Sequence, residues 1–129
     1  MRILVYGERT KIDVITALFE NFLPSAEVMP MRYLDDIIAI APLGSRDIKI
    51  AFIDWSYTDA EKVYCHIHEK CLIPSALLVS NGLNWQHLFG LNICGYLDWH
   101  GNINLIHWRL KAIMRDLPDY SRTLLECKI

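Results

Sequence analysis

The run IKIAFID, residues 48 to 54, is largely apolar and ends on a carboxylate, Asp54. A buried strand gains from apolar burial and loses by desolvating a charge, so this aspartate must meet solvent, a hydrogen-bond donor or a cation. It is suited to ligating a hard cation, or to capping the loop that follows, where Ser56, Thr58 and Asp59 are turn and helix-start residue types. A second chemical candidate is YCHIHEKC, residues 64 to 71. On a helix Cys65, His68 and Cys71 stand three apart and drift around the surface, so adjacent pairs could share a metal while all three converge poorly. The same residues offer a Cys–His pair for nucleophilic chemistry, but no oxyanion loop or third orienting group accompanies it. GxGxxG and GxxxxGK[ST] are both absent, so no phosphate-cradling loop is indicated.

Charge and size narrow the setting. A net charge of −2 and a pI near 6.2 leave no basic stripe, so this domain is not expected to bind nucleic acid directly. With 129 residues, 53% of them hydrophobic, the chain is long enough for one packed domain. No apolar run approaches a membrane span, and Met1-Arg2 leads directly into a short strand pattern. Cys65, Cys71, Cys94 and Cys127 have no disulfide-framework spacing. Free thiols and the cytoplasm are expected, with no membrane association.

Short apolar runs alternate with helical patterns five times, which predicts βα units around a parallel sheet. The expected strands are Arg2 to Tyr6, Ala26 to Met31 with Pro30 marking an edge, Ile48 to Ile53, Ser75 to Val79, and Cys94 to Leu97. Helices are expected over Ile12 to Phe22, ending before Pro24, from Tyr33 to Ala41, from Asp59 to Lys70, around Trp85 to Gly90, and from Asn102 to Asp116. Residues 1–118 form the domain and 119–129 a tail or linker. In an open parallel sheet functional groups gather beyond the carboxyl ends of the strands. Those positions hold Gly7, Glu8 and Arg9; Asp54, Trp55 and Ser56; Ser80 and Asn81; and Asp98, Trp99 and His100.

These strand-end residues, in this order, resemble the receiver domain of two-component response regulators over about Arg2 to Leu117. The resemblance implies a flavodoxin-like (βα)5 fold, with a five-stranded parallel sheet in the order 2-1-3-4-5. It places Asp54 of FIDWS at the phosphoacceptor position, Ser80 of LLVSN at the switch hydroxyl and Tyr96 of GYLDWHG at the switch aromatic. Two departures accompany these matches. The family's pair of acids after the first strand becomes Gly7 and Glu8, and its essential lysine falls on Trp99, followed by His100. Phosphoryl transfer depends on positioning and charge neutralisation, so loss of the fixed cation removes much of the chemistry. Arg9 and a protonated His100 are the substitutes in view. The resemblance is therefore to the degenerate, pseudo-receiver type.

That resemblance implies a non-enzymatic signalling module of transcriptional or two-component regulation, acting through a protein partner and as a homodimer. Tyr96, Trp99, His100 and Trp108 form the expected interface, because Tyr and Trp suit surfaces with both apolar and polar partners. No cofactor is expected beyond a weak Mg²⁺ held through water by Glu8 and Asp54. Two rivals remain: a phosphorylatable receiver using Asp54 with Mg²⁺, and a flavodoxin-like cofactor binder or enzyme.

Overall fold

The computed structural model describes residues 1–40, 47–80, 90–99 and 102–117. Five parallel strands form one sheet in the order β2-β1-β3-β4-β5. The strands are β1 (Arg2–Tyr6), β2 (Glu27–Met31), β3 (Ile48–Asp54), β4 (Ser75–Val79) and β5 (Gly95–Asp98). Between and after them lie α1 (Arg9–Phe22), α2 (Leu34–Ile38), α3 (Ala60–His66) and α4 (Ile103–Arg115). The flavodoxin-like topology expected from the sequence is thus present. β5 runs one residue later than expected, and α2 is shorter. The helix expected around Trp85 to Gly90 falls almost wholly outside the described residues, as does the tail from Pro118.

Strand alternation sorts the core into two layers. Leu4, Tyr6, Ala51, Ile53, Leu77 and Val79 face α2 and α3, meeting Ile37, Val63, Tyr64 and Ile67. Ile3, Val5, Ile50, Phe52, Ala76, Leu78 and Leu97 face the other way, meeting Ile12, Ile15 and Phe19 of α1 and Ile106, Leu110 and Ile113 of α4. Because β1, β3 and β4 are covered on both faces, their sequences read as nearly unbroken apolar runs. Pro30 is exposed on the edge strand β2, opposite Val5. There the missing N–H costs no ladder bond on the outer side.

α3 passes without a break into a π turn, Ile67–Cys71, which ends at Leu72 in the left-handed region with φ 56°. The wider turn keeps both Ile67 and Cys71 buried. The even 3.6-residue period of a regular α-helix would not have revealed it, since the period changes within the element.

The loop after β3 is fixed by the end of β1. Tyr6 is buried, donates its phenolic proton to the Thr58 carbonyl at 2.6 Å, and meets the Tyr57 ring edge-on at 5.3 Å. Burial, with Asp59 and Tyr57 adding to it, raises the Tyr6 pKa above its ordinary 10.0. The folded chain then keeps a proton that the unfolded chain releases, so this contribution is complete below pH 10 and is lost as pH climbs towards the folded value. Tyr6→Phe is expected to cost about 1 kcal/mol at neutral pH through the lost hydrogen bond. It should also make the fall in stability above pH 10 shallower than in the wild type, as read by urea unfolding across that range.

Candidate functional site

Asp54 closes β3 with 1% of its surface exposed. Its neighbours come from the loop after β1, from its own loop and from α1. Gly7 at the end of β1 lies so close that a Cβ built there would sit 2.4 Å from the Asp54 Cβ, so the chain passes only because residue 7 lacks a side chain. That approach lets the Glu8 N–H point at Asp54 Oδ2, at 3.4 Å. From the other side, Ser56 donates its N–H at 3.2 Å and its hydroxyl at 2.8 Å to Oδ1.

The cation is Lys11. Its ammonium donates to Asp54 Oδ1 at 2.9 Å and to Ser56 Oγ at 3.1 Å, and the side chain is only 12% exposed. The ring of Trp99 lies 6.0 Å from the same nitrogen, at the outer range of a cation–π contact. Lys11 therefore stands among the ends of β1, β3 and β5. Neither substitute named from the sequence is seen in this role: Arg9 is exposed at the first turn of α1, and His100 lies outside the described residues.

One signal for Lys11 was available. The first turn of α1 carries no acid, and Arg9 and Lys11 both lie there. A cation at a helix N-terminus opposes the helix dipole, so it calls for a nearby anion. What the sequence did not reveal was which anion, since Lys11 and Asp54 are 43 residues apart.

The other expected site residues divide. Ser80 is half-buried just beyond β4, and the donors to Asp54 among the described residues are Lys11, Ser56 and Glu8 rather than Ser80. Trp99 is half-buried against the layer of α1 and α4, on the Lys11 side. Tyr96 and Trp108 come together elsewhere, in a groove of about 170 Å³ lined also by Asp98, Leu105, Ile106 and Arg109. There the Arg109 guanidinium lies 4.6 Å from the Tyr96 ring centre. Trp108 is 65% exposed and Leu105 63%.

The donor set suits an ammonium better than a resident Mg²⁺. Asp54 Oδ1 already accepts three hydrogen bonds, Gly7 offers no carboxylate, and Glu8 is exposed. Among the described residues no group of three or more His, Cys, Asp and Glu side chains could hold a metal. This covers the Cys65, His68 and Cys71 run as well. Cys65 and Cys94 are exposed free thiols and Cys71 is a buried one, whose pKa burial pushes up.

The strand order, the two helical layers and the carboxylate at the end of β3 define a receiver-type, flavodoxin-like fold. Solved structures with this fold include a response regulator from Thermotoga maritima, with TM-score 0.68, 14% identity, and coverage of 89% of this chain and 98% of that one. The signal receiver domain of the DNA-binding response regulator merR from Colwellia psychrerythraea 34H gives TM-score 0.70 and 14% identity over 90% of this chain and 99% of that one. NtrX from Brucella abortus gives TM-score 0.74 and 13% identity over 98% of this chain, which spans 29% of the NtrX chain. No family model matches the chain, and no curated protein does. At these identities the likeness is one of fold. Among the described residues no helix is long and apolar enough to cross a membrane.

Removing one partner of a buried pair leaves the other charge uncompensated, but the two partners here are not equivalent. Lys11 has a flexible stem near the surface and can turn its ammonium to water, whereas Asp54 is fixed in the strand. Lys11→Met should therefore cost about 3 to 5 kcal/mol, and Asp54→Asn clearly less. In a double-mutant cycle by chemical denaturation the two losses should fall well short of additive; full additivity would mean that the pair does not couple. Gly7→Asp, which restores the acid of the receiver pattern, should lose about 1 to 3 kcal/mol through collision with Asp54. An unchanged midpoint would show that the loop can move aside.

Proposed function

We propose that this domain is a pseudo-receiver: a non-catalytic signalling module of two-component or transcriptional regulation that works by protein–protein contact. One observation carries the reading. The carboxylate at the phosphoacceptor position is already neutralised, its Oδ1 engaged by Lys11 and Ser56, while Trp99 stands where a receiver has its lysine. A phosphoryl group arriving at Asp54 would have to displace an ammonium from a site that is 1% exposed and short of a second acid. The three free thiols among the described residues accord with a reducing, cytoplasmic setting.

Output is assigned to the β5–α4 groove. It combines Tyr96, Trp108 and Arg109, residue types that dominate binding energy at protein interfaces. It also carries an acid and a base, Asp98 and Arg109. At about 170 Å³ it is smaller than the roughly 300 to 1,000 Å³ typical of small-molecule sites, which favours a protein partner over a cofactor. The proposed assembly is a homodimer through this groove.

Incubation with acetyl phosphate and Mg²⁺, followed by intact-mass measurement, tests the first half. No adduct is expected; a labile phosphoryl adduct that disappears in Asp54→Asn would establish the phosphorylatable receiver instead. Sedimentation over a concentration series tests the second half. A monomer–dimer equilibrium is expected, and Trp108→Ala should weaken it at least tenfold, the equivalent of about 1.4 kcal/mol. A chain that stays monomeric throughout would remove the groove from the proposal.

A further inference from the structure

We infer that Lys11 is the resident cation of the Asp54 site: its ammonium stands where a receiver would bind a divalent metal, and excludes that metal from the carboxylate. The inference rests on the pseudo-receiver reading but goes further, since it names the group that replaces the metal and makes its removal reversible by one.

Three features point the same way. First, the ammonium is bound by two oxygens, 2.9 Å from Asp54 Oδ1 and 3.1 Å from Ser56 Oγ, and its side chain is 12% exposed, so it is part of the site rather than a surface charge passing by. Secondly, the protein around it is arranged for a single positive charge. Gly7 stands where the receiver pattern has a carboxylate, and a larger residue would strike Asp54, so one acid faces one ammonium and the two charges cancel. Thirdly, the ring of Trp99, the residue at the receiver pattern's lysine position, lies 6.0 Å from the nitrogen. An aromatic face tolerates an ammonium well, whereas a second cation beside Lys11 would be repelled. Lys11 thus satisfies two requirements of the fold with one group, neutralising Asp54 and joining the ends of β1, β3 and β5.

If the ammonium is resident, a hard cation has no place at Asp54 in the wild type and gains one when the lysine is shortened. Lys11→Ala would leave a buried carboxylate with only neutral donors and open space beside it. Mg²⁺ can fill such space with its own waters, using one or two carboxylates. Ligand binding to the folded state then raises the melting temperature.

The experiment is thermal unfolding of the whole chain with EDTA or with millimolar MgCl₂. Wild type is expected to melt at the same temperature in both. Lys11→Ala should melt roughly 10 °C lower in EDTA and recover a substantial part of the loss in MgCl₂. Lys11→Ala/Asp54→Asn should show no recovery, and Lys11→Arg should behave as wild type does. If Lys11→Ala does not fold in EDTA, Lys11→Gln takes its place in the series, with the same expected recovery. A wild type stabilised by MgCl₂ as strongly as the alanine variant would overturn the inference, and so would an alanine variant that melts with wild type or ignores the metal. Phosphorylation is scored separately. A wild-type adduct with acetyl phosphate would defeat the pseudo-receiver reading, even if the melting series came out as expected.

Discussion

A carboxylate withdrawn from water at the end of a central strand is the constraint around which this molecule is arranged. Asp54 lies in β3, flanked by β1 and β4, where solvent cannot reach it. An isolated charge there would be strongly disfavoured, so the neighbouring loops must offer donors and a cation. The β1 loop does so by being glycine at residue 7 and thereby bringing a backbone N–H close; the β3 loop does so through Ser56. The helix after β1 brings the charge itself. Tyr6 then fastens the far side of the β3 loop through Thr58.

The source of the cation distinguishes this site from a receiver that uses a lysine beyond β5. A lysine on α1 is anchored in a helix packed by Ile12, Ile15 and Phe19 against the sheet, and reaches the site from a rigid element. Trp99 packs against the α1 and α4 layer. The chemistry of the strand ends is thereby separated from the exposed groove on the outer side of β5 and α4.

Much of the architecture was readable from residues alone, for a physical reason: doubly covered strands leave apolar runs, and RILVY, IKIAFI and SALLV are three of them. Pro30 correctly marked an edge. The π turn at Ile67–Cys71 was not readable, because apolar spacing on a short helix does not fix whether a turn holds four residues or five. At the site, the carboxylate and the empty positions around it were legible, since each lies at a strand end. Its counterion was not. A pairing between residues 43 apart leaves no periodic trace, and the hint it did leave, two cations in the first turn of α1, indicates that an anion is near without saying which. Likewise Tyr96, Trp99 and Trp108 read as one aromatic patch in sequence; the strand and helix geometry turns Trp99 inward and leaves Trp108 outside.

Pro30 has a consequence for how such domains behave when crowded. A parallel sheet has two open sides, and each is a template on which another chain could add a strand and begin a fibre. On one side the proline interrupts the row of donors at the fourth residue of a five-residue strand; on the other, β5 has four residues and ends on an acid. Among the described residues neither border offers a long run of unpaired backbone. Addition of a second chain's strand along either border is thereby disfavoured.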